Sequence, residues 1–119
     1  MERDMTTKEL MDRYELLKQQ LADTDLIMQG TILERIITRN DPNSSDGKKT
    51  YGPYYQWTFK KLGKSVTVNL SASQAVAYQK AIDNNRIVVE TLNEMRKLSN
   101  FILEATTEGV RKKKKYASV

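Results

Sequence analysis

The chain has 119 residues, of which 39% are apolar, and its 20 basic and 15 acidic side chains give it a net charge of +5. It contains neither cysteine nor histidine, which excludes disulfides, zinc sites built from those ligands, and Ser–His–Asp or Cys–His catalysis. No apolar run approaches the roughly 18 residues of a membrane span, and the charged N-terminus does not resemble a signal peptide. We therefore expect a cytoplasmic protein without a membrane partner.

Positive charge is concentrated in the middle and at the end of the chain. Residues 1–39 carry six basic and eight acidic side chains, residues 40–70 carry five and two, and residues 71–119 carry nine and five. Because a polyanion is attracted to regions of net positive charge, we expect any nucleic acid to meet the chain after residue 40.

Residues 6–24 have the pattern of an amphipathic helix. Thr6 and Glu9 have the spacing of a capping box, which marks a helix start. One apolar stripe follows at the helical repeat, and it comprises Leu10, Tyr14, Leu17 and Leu21. We expect this helix to pack against its own domain.

Three strands are predicted at residues 26–39, 53–61 and 64–70. The first is rich in β-branched residues, and a dense cluster of turn formers follows it, which we expect to be a mobile connection. The second and third strands alternate in polarity on either side of Leu62-Gly63, as in a β-hairpin. Together they predict a three-stranded antiparallel meander with one face covered by helices.

Alternation along the second strand divides its side chains between two faces. The aromatic face comprises Tyr55, Trp57 and Phe59. The polar face comprises Tyr54, Gln56, Thr58 and Lys60. The third strand is apolar on one side, so we expect the Trp57 face to be core and the Tyr54 face to be open to a ligand.

A long helix is predicted over residues 72–108. Ser71 and Gln74 form its capping-box pair. Apolar residues over 88–102 recur about every 3.5 positions, as in a coiled coil, with Leu92 near the centre of the stripe. That stripe is expected either to be buried within the monomer or to form the seam of a homodimer.

The pair Asn84-Asn85 interrupts this helical pattern. It marks either a break between two helices or a polar layer in a helical pair. Beyond the helix, residues 110–119 form a basic tail that repels itself, and we expect it to be disordered. The predicted fold is therefore α+β, with one domain over residues 1–109 followed by the tail.

Enzyme signatures are incomplete in this sequence. Residues 47–50, Gly-Lys-Lys-Thr, resemble the end of a phosphate-binding loop but lack its first glycine and its strand–loop–helix setting. Asp23, Asp25 and Glu34 lack the partner residues of a metal-dependent nuclease. We therefore expect a protein that is not an enzyme and that holds neither a cofactor nor a metal.

The basic residues and the polar face of the meander indicate a nucleic-acid partner, with DNA favoured over RNA. A cationic tail neutralises phosphates, and a β-ribbon lies in a duplex groove or stacks a tyrosine on unpaired bases. The candidate binding residues are Tyr54, Gln56, Lys60, Lys61, Lys64, Arg111, Lys112, Lys113, Lys114 and Lys115. The competing hypothesis is a protein–protein adaptor or homo-oligomer that associates through the long helix, and one protein can do both.

A distinctive sequence pattern is formed by three segments, residues 30–35, 51–57 and 63–71. Its most distinctive part is Gly52-Pro53-Tyr54-Tyr55. The three segments resemble a domain-of-unknown-function family of small prokaryotic proteins associated with transposases and other mobile elements. The resemblance extends over about residues 10–108. It implies a mobile-element setting, with a transposase as a candidate partner, but no particular activity. Many relatives carry cysteines in the loop between the first two strands, and this chain does not, so no metal site is implied.

Overall fold

A computed structural model describes residues 5–110, so the predicted basic tail from residue 111 onward lies outside the described residues. The elements follow in the order α1 (Thr7–Ala22), β1 (Thr31–Asn40), β2 (Lys48–Lys61), β3 (Lys64–Leu70) and α2 (Ala72–Thr106). The strands form one antiparallel sheet in the order β1-β2-β3. The predicted α+β class and the meander are confirmed. Neither helix of this part of the chain has an apolar stretch long enough to cross a bilayer.

The described residues divide into two compact units. A helical unit contains residues 5–23 and 88–110, and a sheet unit contains residues 24–87. The helix α2 contributes its first part to the sheet unit and its later part to the helical unit.

In the helical unit, α1 packs on the later part of α2 through apolar side chains. The predicted capping box is present, because Thr6 N donates to Glu9 Oε1 at 2.9 Å and Glu9 N donates to Thr6 Oγ1 at 3.2 Å. The buried core of the unit comprises Leu10, Leu17 and Leu98. Leu98 is therefore the α2 residue at the centre of this core, whereas Leu92 is only half-buried.

The sheet unit packs its aromatic face against the first part of α2. Trp57 Nε1 donates to Gln29 O at 2.8 Å. The Trp57 ring stacks on Phe59 with centroids 4.0 Å apart and meets the edge of Tyr78 of α2 at 5.1 Å. The aromatic face is thus the covered one, as predicted, although no residue of β2 is fully buried. Trp57 itself is half-buried.

The helix α2 is continuous through Asn84-Asn85, so the predicted alternative of a break there is wrong. Asn84 Nδ2 instead donates to Leu26 O at 2.9 Å, and Met28 N donates to Ala81 O at 3.1 Å. Because the backbone of this segment bonds to α2 and to Trp57, it does not join the sheet. For this reason β1 begins at Thr31 and not at residue 26 as predicted.

The strand β2 begins at Lys48, five residues before the predicted start at residue 53. Residues 48–51 pair with residues 37–40 of β1, beyond the end of β3. The Gly52-Pro53 sequence, which resembles a strand terminator, lies within the strand at an irregularity in the register. The connection between β1 and β2 is closed by a backbone hydrogen bond, in which Asp41 N donates to Gly47 O at 2.8 Å.

Gly30 allows the chain to pass close beside Trp57, and its replacement by alanine is expected to cost about 2–4 kcal/mol of unfolding free energy. Its φ is +117°, a region that costs a side-chain-bearing residue about 1–2 kcal/mol. A Cβ there would lie 2.5 Å from Trp57 Nε1 and 2.6 Å from Thr58 O, so the tryptophan has to move. Chemical denaturation followed by circular dichroism measures the loss.

The matched control is Gly47→Ala. Gly47 also has a positive φ, +75°, but a Cβ there has no neighbour within 4 Å. The control should therefore lose only the unfolding free energy that the backbone strain costs, about 1–2 kcal/mol. Equal losses in the two variants would contradict the close contact between Gly30 and Trp57.

Candidate nucleic-acid interface

The face of the sheet opposite Trp57, here called the outer face, is mainly polar, with Leu33 as an exposed apolar residue on β1. Residues that pair across antiparallel strands lie on the same face, so the register defines its members. They are Thr31, Leu33 and Arg35 of β1, Tyr54, Gln56, Thr58 and Lys60 of β2, and Ser65, Thr67 and Asn69 of β3. The predicted residues Tyr54, Gln56 and Lys60 are therefore brought together on one surface.

Two hydrogen bonds between side chains organise the middle of the outer face. Gln56 Nε2 donates to Asn69 Oδ1 at 3.3 Å, and the hydroxyls of Thr58 and Thr67 lie 3.1 Å apart. Both pairs join β2 to β3, and neither carries a charge. Tyr54 stands next to them with 46% of its surface exposed. The middle of the face therefore offers oriented polar groups and one accessible aromatic ring.

The turn between β2 and β3, here called the basic tip, carries the three predicted lysines Lys60, Lys61 and Lys64. Leu62 and Gly63 have φ of 51° and 80°, as a two-residue hairpin turn of type I′ requires. Lys61 and Lys64 are direct cross-strand partners, and alternation places this pair on the Trp57 side of the strands, whereas Lys60 belongs to the outer face. Like charges placed opposite each other are destabilising, and none of the three lysines forms an ion pair within residues 5–110. An anion at the tip would relieve this repulsion.

A second basic group, which the sequence analysis missed, lies at the other end of the sheet. Residues 36–51 of β1 and β2 extend past β3 as a two-stranded ribbon, here called the arm. Arg39 pairs with Lys49, and their charged groups lie 6.0 and 5.6 Å from the ring centroid of Tyr51. The missed clue is the alternation Arg35, Ile37, Arg39, which places the two arginines on one face of β1.

The arm residues share the outer face with Tyr54. Between the pairs Arg35–Tyr54 and Ile37–Tyr51, β1 advances two residues and β2 advances three, so the extra residue belongs to β2. Alternation along β1 is unbroken, and Arg39 therefore lies on the same face as Arg35. A cleft of about 560 Å³ opens where the arm joins the sheet, with Arg35, Tyr54 and Asn69 among its walls.

The loop at the end of the arm contains Asp46, whose carboxylate accepts hydrogen bonds from neighbouring residues. Ser44 Oγ donates to Asp46 Oδ1 at 2.8 Å, and Lys48 N donates to the same oxygen at 3.1 Å. The hydrogen bond from Ser44, followed by that from the Lys48 backbone, holds the pKa of Asp46 below its ordinary value. The basic surface of the arm is therefore along its strands and not at its end.

Of the ten predicted binding residues, the structure places Tyr54, Gln56 and Lys60 on the outer face, and Lys61 and Lys64 beside Lys60 at the turn. The other five, Arg111, Lys112, Lys113, Lys114 and Lys115, lie outside the described residues. Comparison of the chain with protein-family models, with curated proteins and with solved structures found no match, and the family resemblance stays a prediction.

Proposed function

We propose that this protein binds nucleic acid, and duplex DNA in preference to RNA, through the outer face and the basic tip. The observation that carries the proposal is the cluster of Lys60, Lys61 and Lys64 on one tight turn without an acidic partner within residues 5–110. Such a cluster neutralises phosphates and releases their counterions, which gives affinity that falls steeply with salt.

Beside the tip, the groups of the outer face suit contacts inside a groove. Gln56 has an amide that hydrogen-bonds base edges, and Tyr54 has an exposed ring that packs on a sugar or a base. A β-ribbon fits the wide major groove of B-DNA, whereas the major groove of duplex RNA is too deep and narrow for side chains to read. This difference favours DNA. The further proposal of an accessory or regulatory role in a mobile element rests on the family resemblance alone.

Lys60→Ala combined with Lys61→Ala is expected to weaken binding without unfolding the protein. Losing two phosphate contacts should lower the salt slope, the change of log affinity with log salt, by about 1.8. Both side chains are exposed, so the melting temperature should hold. Fluorescence anisotropy with labelled duplex DNA, single-stranded DNA and duplex RNA at several salt concentrations measures the effect. The basic tail is present in both proteins, so its contribution cancels.

Lys8→Ala combined with Lys18→Ala is the matched control. It removes the same charge from α1, where the two lysines form exposed ion pairs with Asp12 and Glu15. The control should bind as the wild type does. The proposal is wrong if the wild type binds none of the three nucleic acids at low salt, or if the control loses as much salt dependence as the tip variant.

The second candidate function is self-association or docking of a partner protein through the helices. One observation favours it: Met11 of α1 and Leu103 of α2 are half exposed and line an apolar groove of about 290 Å³ with Tyr14 and Ile102. Burying these side chains against a second helix surface would be favourable. Sedimentation at two protein concentrations distinguishes a dimer from a monomer.

A further inference from the structure

We infer that the arm holds a second phosphate-binding site, made by Arg39 and Lys49 beside Tyr51, and that the arm and the basic tip bind the same DNA duplex about one helical turn apart. This inference rests on the proposed function and extends it to residues that the sequence analysis did not select.

The first argument is the charge on the arm. Arg39 and Lys49 are direct cross-strand partners, an arrangement in which like charges repel. Neither forms an ion pair within residues 5–110. The π-face of Tyr51, whose centroid lies 6.0 and 5.6 Å from the two charged groups, offsets part of the repulsion. A phosphate between the two cations would offset the rest.

The second argument is spacing along β2. Lys49 and Lys60 are eleven residues apart on this strand, which corresponds to at most about 36 Å at 3.3 Å per residue. The irregularity at Gly52-Pro53 and the strand twist shorten this distance. One turn of B-DNA is about 34 Å long. Two cationic groups at this separation meet phosphates that recur on the same side of a duplex.

The third argument is the composition of the surface between the two groups. It holds the uncharged pairs Gln56–Asn69 and Thr58–Thr67, together with Tyr54. Leu33 and the cation Arg35 of β1 lie beside them on the same face. A surface whose positive charge is placed toward its ends, with amide and hydroxyl groups between, matches a duplex groove, in which phosphates border the base edges. A single strand offers no such fixed spacing, so the geometry favours the duplex.

The test compares three variants on duplexes of two lengths. They are an arm variant (Arg39→Ala with Lys49→Ala), a tip variant (Lys60→Ala with Lys61→Ala) and the combination of all four changes. On a duplex of about 16 base pairs, each pair of changes should lower the salt slope by about 1.8, and the combination by about 3.6. A duplex of about 8 base pairs is shorter than one turn and engages one site at a time. There, either pair of changes alone should have a much smaller effect.

Two control variants separate charge from arm structure. Arg39→Lys with Lys49→Arg keeps both charges and should keep the wild-type salt slope. Thr38→Ala with Thr50→Ala alters a cross-strand pair of the arm that carries no charge, and it should bind as the wild type does.

The outcomes distinguish this inference from the proposed function. If the arm variant keeps the wild-type slope on the long duplex while the tip variant loses it, the arm site is wrong and the proposed function stands. If the wild type prefers single-stranded DNA, or if duplex length has no influence on the two variants, binding across one turn is wrong. If the wild type binds no nucleic acid, both proposals fail.

Discussion

Replacing Leu98 with alanine is expected to lower the free energy of unfolding by about 3–5 kcal/mol, the upper range for a buried leucine. Leu98 is 0% exposed and packs against Leu10 and Leu17. These three side chains form the buried core cluster of the helical unit within residues 5–110, so truncation of Leu98 leaves a cavity at its centre. Since small domains are stable by only about 5–15 kcal/mol, this loss is large.

Urea denaturation at two protein concentrations measures the effect, and Leu103→Ala is the matched control. Leu103 lies on the same helix but is 57% exposed, so in a monomer its truncation should cost less than about 1 kcal/mol. A loss at Leu103 that grows with protein concentration would assign that residue to a self-association surface. A cost below about 1 kcal/mol at Leu98 would contradict the packing of α1 on α2.

Replacing Trp57 with alanine should destabilise the protein by about 3 kcal/mol, the lower end for a large aromatic side chain, because Trp57 is only partly buried. The change removes the stack on Phe59, the edge contact with Tyr78 and the hydrogen bond to Gln29 O. It thereby loosens the attachment of both α2 and the segment before β1 to the sheet. Thermal melting followed by far-ultraviolet circular dichroism measures the loss.

Two further variants dissect the role of Trp57. Trp57→Phe keeps an aromatic ring on Phe59 but cannot donate to Gln29 O, so about 1 kcal/mol of the loss should remain. Tyr54→Ala alters the neighbouring part of the outer face and should change stability by less than about 1 kcal/mol. If Tyr54→Ala proved the more destabilising change, the assignment of the two faces would be reversed.

The elements that sequence reasoning located correctly depend on local chemistry. Both capping boxes form as predicted, since Ser71 Oγ accepts from Gln74 N at 3.1 Å just as Thr6 accepts from Glu9 N. The hairpin turn at Leu62-Gly63 is equally local, because positive φ at a glycine position is a short-range preference. For such features the residues that decide the structure are within four positions of each other.

The features that sequence reasoning missed depend on partners far along the chain. The residues before β1 look like a strand but bond to Ala81 and Asn84, more than fifty positions later. The choice of Leu98 over Leu92 as the core residue of α2 depends on where α1 packs, which the periodicity of α2 alone does not define. For the interface, Arg39 and Lys49 become neighbours only through the register of β1 and β2.

The arm also bears on how the protein avoids aggregation. The outward edges of both arm strands have no neighbouring strand within residues 5–110, because β1 is at the edge of the sheet and β3 ends opposite Tyr55 of β2. Such unpaired edges are templates for annealing with another copy, and natural sheets block them with charged side chains, lysine above all. Arg39, Lys48 and Lys49 supply that charge here. We therefore expect the cations proposed to hold phosphates also to hinder one arm from pairing with the sheet of another molecule, so that loss of their charge would favour edge-to-edge association.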